Sequence, residues 1–530
     1  MSTYTQVEKN GLFELTDAAR AELVSSKYFN EDLAPTSVSQ RTWTTYNITM
    51  LWVGMSICVP SLSLATGLVS AGVSPWLSVL NVALGNILIL IPIQLNSQIG
   101  CKYGIPFPGF ARLTFGNRGA QIPALLRALT ACGWTSVQCW VGGGAVAAII
   151  GCFAGKFSDP QWLIDLPSWS GMQTTSCGTF IGYIIFIAFC GWVAYKGMDQ
   201  IKWVQNIGGP VLLALMIGLF IWSLKIGSDA GYSFGEIMGQ KSTISGSDFA
   251  LTYLTGLMGN IAFWATMALN IPDFSRYARS QKDQFRGQLY GMPVPMTFCA
   301  FVGALYAQSA TLANQVSGAA AGTRGWYNPF DVVSVLYNID NKVVVFITAL
   351  GVIMATVTTC VAANVVAPAN GISNISPTRI SYKKGVLIAV FVAFFILQAW
   401  WIYGDGGAYF TWMNAYGTVL APIAAIFIAD YFFCKKKRVD VSSLFKAEDG
   451  RYWYNNGINW AAVIAWVVAF ICPLLTYFGV KGSFWVFINS INYIWSFVIG
   501  FIVYLLLMKT SLACKSYVTE EEHEALTDRA

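Results

Sequence analysis

The sequence predicts an all-α polytopic membrane protein with twelve transmembrane helices. Of its 530 residues, 55% are hydrophobic and only 11% are charged, whereas about a quarter of the residues in soluble domains are charged. The apolar residues form long blocks, for example 343–357 and 497–508, and a helix of about 20 apolar residues crosses the hydrocarbon core of a bilayer. The period-two alternation of a membrane barrel is absent. This composition argues strongly against a soluble protein.

Twelve apolar segments are long enough to be spans. Their predicted bounds are 44–70, 76–100, 119–152, 177–196, 202–226, 248–271, 288–311, 341–372, 384–403, 407–434, 458–479 and 484–509. They define a transmembrane domain over 44–510, flanked by an N-terminal segment (1–43) and a C-terminal tail (511–530). The N-terminal segment has mixed charge and no apolar core, so it does not have the pattern of a cleaved signal peptide.

The basic residues support this topology. If the N-terminus is cytoplasmic, the inner loops hold eighteen lysines and arginines and the outer loops hold six. The inner set is Lys102, Arg112, Arg118, Lys196, Lys202, Arg276, Arg279, Lys282, Arg286, Arg379, Lys383, Lys384, Lys435, Lys436, Lys437, Arg438, Lys446 and Arg451. The outer set is Lys156, Lys225, Lys241, Arg324, Lys342 and Lys481. Cytoplasmic loops of membrane proteins carry such an excess, which predicts that both termini are cytoplasmic.

The cysteines and the histidine bear on cofactors. Twelve cysteines are scattered singly without a CxxC pair, and the only histidine, His523, lies in the C-terminal tail. We therefore expect no resident cofactor, and most cysteines are expected to act as small apolar packing residues. The net charge of +6 is expected to face anionic lipid from the inner loops, so it does not indicate nucleic-acid binding.

Two predicted spans carry glycine and proline near their middles. Span 44–70 contains GMSICVP at 54–60, where proline removes a hydrogen bond and clashes with the preceding turn. Five spans later, span 248–271 contains GLMGN at 256–260. Helices interrupted at matching positions of two repeated halves mark the binding site of many secondary transporters. The alternative, that these are ordinary membrane helices with common glycines, stays open on spacing alone.

Two further clusters have the chemistry of binding sites. Trp134 and Gln138 share one helix face at i, i+4 spacing, and an indole with a carboxamide suits a flat ring with amide edges. Thr358 and Thr359 offer hydroxyls to a monovalent cation. For each pair a structural alternative exists: a packing tryptophan with an interhelical glutamine, and threonines that bond back to the preceding helical turn.

Several segments resemble the nucleobase–cation symporter-1 family, in family order and over about residues 30 to 510. They are NEDLAP (30–35), RTW (41–43), KYGIPFP (102–108), the stretch 112–128, NIPDFSRY (270–277), AANVVAP (362–368), ADYF (429–432) and RYWY (451–454). The family comprises permeases for hydantoins, allantoin, uracil, cytosine, purines and some vitamins. The resemblance implies a leucine-transporter-type fold with two inverted five-helix repeats, approximately 44–226 and 248–434, and two extra helices in 458–509.

The resemblance also implies site residues. The matching substrate-binding positions are Trp134, Gln138, Phe263, Trp264, Asn364 and Cys58. Cys58 departs from the family pattern, because relatives usually place asparagine or glutamine there and a thiol is a weak hydrogen-bond partner. The matching sodium-site positions are Gly54, Ile57, Ala355, Thr358 and Thr359.

Together these features predict a secondary active transporter and not an enzyme. It would import a small nucleobase-like heterocycle (allantoin, a hydantoin, uracil, cytosine or a related ring) by cation symport, with sodium as the favoured ion, across the plasma (inner) membrane. The alternative is a proton-coupled or ion-independent permease for a vitamin-like ring compound. A membrane enzyme is disfavoured because HExxH and GxSxG motifs are absent, and a channel because no repeated pore-lining rings are evident. The expected partners are the substrate and membrane lipid; the sequence does not predict an oligomeric state.

Overall fold

The computed structural model describes residues 4–29, 34–196, 198–375, 380–448, 450–510, 512 and 516–529, without the side chains of 198–210, 362, 370, 374 and 529. Two sequence features fall outside it in part. Residues 30–33 of the first family-like segment and Arg379 of the inner-loop set lie outside the described residues.

Helices dominate the fold. They are α1 (Asp17–Leu23), α2 (Thr45–Ser56), α3 (Val59–Ser70), α4 (Pro75–Tyr103), α5 (Phe107–Phe115), α6 (Gln121–Ala154), α7 (Cys177–Lys196), α8 (Met198–Asp229), α9 (Phe234–Met238), α10 (Gly246–Ala262), α11 (Ala265–Asn270), α12 (Pro272–Ser275), α13 (Gln281–Gly291), α14 (Pro293–Ser317), α15 (Lys342–Thr359), α16 (Val366–Ile375), α17 (Tyr382–Phe391), α18 (Ala399–Ile402), α19 (Gly406–Ile428), α20 (Trp460–Leu474), α21 (Ser483–Ser490), α22 (Asn492–Leu507) and α23 (Glu520–Leu526). Three π-helical segments, Cys360–Val365, Val392–Ile396 and Ala429–Cys434, continue α15, α17 and α19.

The predicted spans correspond to these helices to different degrees. Within the described residues, eight helices are long and apolar enough to cross a membrane, or ten if two bent pairs each form one span. The two remaining predicted spans, 248–271 and 384–403, are built from the shorter helices α10–α11 and α17–α18. The protein is therefore a predominantly helical, multi-pass membrane protein, and the count of twelve stays a prediction.

The predicted interruption of the first span is confirmed. Helices α2 and α3 meet at an angle of 54°, and Ile57 and Cys58 between them have non-helical backbone angles. Pro60 lies in the first turn of α3, where its missing N–H costs nothing. The last span differs from the prediction of one helix over 484–509, because α21 and α22 are bent by 84°. At this bend the Asn492 side chain accepts a hydrogen bond from the Tyr493 N–H (2.6 Å), which competes with helical pairing.

The interruption in span 248–271 lies later than the glycines suggested. Residues 256–260 are inside the continuous helix α10, and the break falls at Phe263 and Trp264. The two glycines instead permit close packing. A Cβ atom at Gly256 would lie 2.4 Å from Leu68, and one at Gly259 would lie 2.3 Å from Phe410, distances that no side chain tolerates.

Five short strands add to the all-α prediction. Strands β3 (Leu163–Ser168) and β4 (Gly171–Ser176) form an antiparallel hairpin before α7. Strands β1 (Gln6–Lys9) and β2 (Leu12–Leu15) pair antiparallel near the N-terminus. Strand β5 (Thr527–Arg529) joins β1 in parallel. The two terminal segments therefore lie side by side at one end of the molecule.

This end also holds a buried ion pair. Lys435 Nζ lies 2.5 and 2.6 Å from the two carboxylate oxygens of Asp430, and neither side chain is exposed. The hydroxyl of Tyr504 donates to Asp430 (2.8 Å), and Lys435 donates to the hydroxyl of Tyr454 (3.1 Å). The pair therefore joins the end of α19, the loop before α20 and helix α22. Such a pair is tolerated only when its remaining hydrogen-bonding capacity is used.

Replacement of Asp430 by Asn should destabilise the protein. The change leaves the Lys435 ammonium buried without a carboxylate, a loss that costs about 3–5 kcal/mol. The free energy of unfolding of the purified protein measures it. Asp229→Asn is the matched control, since the Lys225–Asp229 pair (2.7 Å) is exposed on both sides and such pairs contribute less than about 1 kcal/mol. Equal, small effects of the two variants would contradict the structural role of the buried pair.

Candidate functional site

A proline shapes the middle of the predicted eighth span. Pro368 in α16 has no N–H to offer to the carbonyl of Asn364, four residues earlier, and its ring would clash with that carbonyl in a regular helix. The chain forms the π-helical segment 360–365 there, and the Thr135 hydroxyl of α6 donates to the Asn364 carbonyl (2.6 Å). Such π segments are frequent at functional sites. Asn364 is thereby fixed against α6, with its side chain half-buried.

The predicted aromatic residues form one connected group. The ring centroid of Phe263 lies 4.9 Å from that of Trp134 and 5.0 Å from that of Trp264, both in edge-on geometry. Phe263 and Trp264 occupy the break between α10 and α11. Trp134 also contacts Trp412 of α19 at 5.0 Å. All three predicted aromatic side chains are buried, so this group is closed to solvent in the conformation described here.

The two predicted polar side chains of the first and third spans are both buried. Cys58 lies at the break between α2 and α3, and Gln138 lies on α6. The Cys58 thiol contacts the Ser61 hydroxyl at 3.2 Å. Trp134, Thr135 and Gln138 belong to a single turn of α6. This turn contacts the α10–α11 break through Trp134 and the π segment through Thr135, and the assignment of the six residues as substrate-binding stays a prediction.

The predicted sodium ligands divide into two sets. The hydroxyls of Thr358 and Thr359 both donate to the Ala355 carbonyl, at 2.6 and 3.3 Å. This is the back-bonded geometry of the structural alternative. Each hydroxyl still keeps its two acceptor lone pairs, so the three oxygens fit a hard cation chemically.

The second set comes from the first span. Ile57 and Ala355 belong to one apolar cluster, and Val59 and Leu62, just after the break of the first span, line one cavity together with Ala355. Gly54 lies in the last turn of α2, whose carbonyls have no regular helical partners. The two sets therefore come from neighbouring elements, and their assignment as sodium ligands stays a prediction.

Sequence reasoning missed the residues that hold the α10–α11 break in place. Asn86 of α4 accepts a hydrogen bond from the Trp264 indole N–H (2.8 Å). Asn81 accepts one from the Asn260 side chain (2.7 Å). Asn96 donates to the Ala268 carbonyl (2.7 Å). The sequence did contain a signal for them, since three asparagines inside one apolar span cost free energy unless their side chains form hydrogen bonds.

The family-like segment NIPDFSRY (270–277) has a structural role, because its side chains bond to neighbouring helices. The Asn270 side chain accepts from Arg127 of α6 (2.7 Å) and donates to the Thr266 carbonyl (2.6 Å). Asp273, three residues on, accepts from the backbone N–H of Phe107 at the start of α5 (2.8 Å). The segment thus ties α11 and α12 to α5 and α6 below the aromatic group.

A cavity of about 1520 Å³ lies on the side of the molecule that carries β3 and β4, and its lining includes Phe330, Asp331 and Tyr403. Tyr409 of α19 lies between this outer cavity and Trp134, with ring centroids 5.2 Å from Tyr403 and 6.1 Å from Trp134. An aromatic layer therefore separates the outer cavity from the predicted site.

Known proteins place this architecture in a family. A permease family described as transporting cytosine/purines, uracil, thiamine and allantoin matches residues 35–500. The chain belongs to this permease family. The resemblance to nucleobase–cation symporters is thereby confirmed, and the protein is a transporter and not an enzyme.

Individual relatives agree. The permease is 34% identical over 509 residues to the purine-uracil permease NCS1 of Arabidopsis thaliana, covering 94% of this chain and 80% of that protein. It is 31% identical over 500 residues to the allantoin permease of Bacillus subtilis (strain 168), covering 94% and 97%.

A solved structure shares the fold of the permease. It is that of Mhp1, a nucleobase-cation-symport-1 family transporter in a closed conformation with bromovinylhydantoin bound. The TM-score is 0.70 at 21% identity, covering 94% of this chain and 99% of that chain. This likeness confirms the transporter fold; the inverted repeats and the domain boundaries stay predictions.

Asp331 should make the stability of this permease depend on pH. Burial raises the pKa of Asp331 from 3.8 to about 6, so the folded state holds a proton that the unfolded state has lost between these values. Stability should therefore fall as the pH rises from about 4 to about 7. In Asp331→Asn this fall should be smaller, and the amide still accepts from the Val333 N–H, which lies 3.0 Å from the carboxylate.

The thermal unfolding midpoint as a function of pH measures this effect. Asp340→Asn is the control, because Asp340 lies in the same loop and is 90% exposed. The assignment fails if wild type and Asp331→Asn lose the same stability across this range.

Proposed function

We propose that this permease imports a small planar heterocycle of the nucleobase, allantoin or hydantoin class by sodium symport across the plasma (inner) membrane. The observation that carries the proposal is that Trp134 contacts Phe263, which contacts Trp264, and that the turn of α6 bearing Trp134 and Gln138 also binds the Asn364 carbonyl through Thr135. Aromatic faces stack on a flat ring, and carboxamides both donate to and accept from its amide edge.

The relatives support the same substrate class. They are named as permeases for purines and uracil and for allantoin, and the Mhp1 structure holds a substituted hydantoin. All of these compounds present a flat or nearly flat ring whose edge carries both hydrogen-bond donors and acceptors. Cys58 offers this edge only a thiol, so we propose that the substrate makes one weaker polar contact here than in relatives that carry an amide at this position.

We infer the orientation of the permease in the membrane from the distribution of its basic residues. The terminal segments lie together with the loop before α20, where Arg451 contacts Glu522 (3.1 Å) and Lys446 contacts Glu22 (3.1 Å). Arg112, Lys102 and Arg438 of the predicted inner loops also lie at this end, in contact with Tyr28, Lys437 and Glu520. The excess of positive charge supports a cytoplasmic location for both termini, with the outer cavity facing the opposite side.

Sodium is favoured over the proton as the coupling ion on two grounds. The candidate ligands Ala355, Thr358 and Thr359 are neutral oxygens, which suit a hard monovalent cation. The predicted site itself contains no carboxylate or imidazole among its described residues, and these are the groups that proton-coupled carriers commonly use. The rocking of one helix bundle against another would then expose substrate and ion to each side in turn.

Trp134→Ala should abolish uptake, because it removes one stacking face, worth about 1–3 kcal/mol for a base on an aromatic ring, and opens a cavity. Radiolabelled uptake into vesicles, run with uracil, cytosine, adenine, allantoin, hydantoins and pyridoxine, identifies the substrate and measures the loss. Trp460→Ala, a change at an exposed tryptophan at the start of α20, is the control. Wild-type uptake by a well-expressed Trp134→Ala protein would disprove the pocket.

Thr358→Val should weaken the dependence of uptake on sodium by tenfold or more, a factor that corresponds to about 1.4 kcal/mol, since it deletes one candidate ligand. Initial uptake rates at increasing sodium concentration measure the effect. Thr356→Val is the matched control, because Thr356 lies on the same helix and bonds back to the Val352 carbonyl (2.7 Å) without belonging to the predicted site. Uptake that ignores sodium and follows a proton gradient would overturn the sodium assignment and favour the proton-coupled alternative.

A further inference from the structure

Three cysteines converge inside the helix bundle. The sulfur atoms of Cys139, Cys190 and Cys360 all lie within 4.8 Å of one another, and all three residues are buried. The sulfur atoms of Cys139 and Cys360 are 3.7 Å apart. Among the described residues, no histidine or carboxylate belongs to this group of possible metal ligands. The sequence shows nothing of the kind, because these cysteines are far apart in the chain.

Close packing of α6 against α7 brings two of these thiols together. A Cβ atom at Gly143 would lie 2.5 Å from the backbone nitrogen of Tyr183, and one at Gly142 would lie 2.4 Å from the Phe186 ring. Since the helices run antiparallel, one further turn from this contact brings Cys139 of α6 to Cys190 of α7. Glycines at the crossing let the backbones approach so closely that even short cysteine side chains meet.

The π-helical segment supplies the third thiol. Cys360 is its first residue, and its sulfur lies 4.0 Å from the Thr135 carbonyl of α6. Cys360 therefore faces α6 at the point where the π segment begins. The cluster consequently joins three elements that do not otherwise share a covalent or ionic link in the described part of the chain.

The dimensions fit a metal ion bound by three sulfurs. A metal–sulfur bond of about 2.3 Å in a trigonal arrangement separates the sulfur atoms by about 4.0 Å. The observed separations, 3.7 Å for one pair and at most 4.8 Å for the others, bracket this value. Zinc sites in proteins are almost always four-coordinate, whereas soft sulfur ligands select Cu(I), a d10 ion that accepts three ligands.

The net charge of the metal–sulfur complex also favours a monovalent ion. The cluster lies in an apolar interior, where an unbalanced charge is costly. When Cu(I) binds, one S–H bond breaks and its proton leaves to solvent; the resulting thiolate forms one S–Cu bond, and each of the two remaining thiols donates a sulfur lone pair to form a further S–Cu bond. The complex of one thiolate and two thiols with Cu(I) is neutral, and no group is oxidised or reduced.

We propose that Cys139, Cys190 and Cys360 form a binding site for one soft monovalent cation, Cu(I) or its analogue Ag(I), and that the bound ion inhibits transport. Cys139 follows Gln138 directly, and Cys360 follows Thr359. An ion held by all three sulfurs fixes α6, α7 and the segment 360–365 to one another. Any change in their relative positions during the transport cycle would then have to break a metal–sulfur bond.

The binding test uses the full-length protein, purified in detergent and reduced with a phosphine. It is loaded with Cu(I) and challenged with increasing amounts of a Cu(I) chelator, and the retained copper is measured by elemental analysis. Wild type should retain one ion per chain at chelator concentrations that strip Cys190→Ala completely. Cys132→Ala is the matched control, because Cys132 is a buried thiol on α6 outside the cluster, and it should retain copper like wild type. Equal retention by wild type and Cys190→Ala would overturn the site.

The transport test follows uptake in vesicles with and without Cu(I). Cys190 lies outside the predicted substrate and sodium residues, so Cys190→Ala should keep wild-type uptake in the absence of metal. Cu(I) should lower uptake by wild type and Cys132→Ala at least tenfold, reversibly on addition of chelator, and leave Cys190→Ala unaffected. Undiminished uptake by copper-loaded wild type would overturn the inhibition. The binding test does not depend on which heterocycle or ion is carried, so its result is independent of the proposed function.

Discussion

A helix that is interrupted inside a bilayer leaves backbone groups without partners, and lipid supplies none. The interruptions of this permease occur where neighbouring side chains meet that need. The Thr135 hydroxyl takes the carbonyl freed by Pro368, and the Tyr409 hydroxyl donates to the Pro60 carbonyl (3.1 Å). The Cys299 thiol approaches the Ser56 carbonyl at the end of α2. At these three positions the irregular backbone, and with it the exposed polarity that a binding site needs, is therefore supported by α6, α19 and α14.

The contacts of neighbouring helices also explain why one side of the candidate site is held by hydrogen bonds, whereas another side is closed by packed rings. Asparagines of α4 hold the α10–α11 break through Asn260 and Trp264, so the second aromatic wall is anchored from behind by a buried polar network. Trp134 is instead surrounded by rings, including Tyr409 and Trp412. Ring contacts have no directional bonds to break, so the side of the site nearer the outer cavity can rearrange at lower cost than the side bonded to α4.

Much of the fold could be predicted from the sequence, because hydropathy and charge are properties of individual residues. Composition predicted the membrane protein, and Pro60 predicted the break in the first span. The contacts that a given residue makes in the folded protein were harder to predict. Gly256 and Gly259 were expected to loosen a helix but instead admit Leu68 and Phe410, and a pattern of glycines does not distinguish the two uses. The convergence of three cysteines and the bend before Asn492 depend on contacts between segments far apart in the chain, which no local pattern encodes.

The small sheet formed by both terminal segments has a consequence for biosynthesis. The Gln6 side chain on β1 donates a hydrogen bond to the hydroxyl of Thr527, the first residue of β5, across 521 positions of the chain. While the ribosome is still producing the helices in between, one edge of β1 has unpaired N–H and C=O groups, and such edges invite pairing with other chains. Strand β1 thus obtains its partner β5 only after the helices that lie between them in the sequence have been made, so that this pairing requires the synthesis of all the intervening membrane segments.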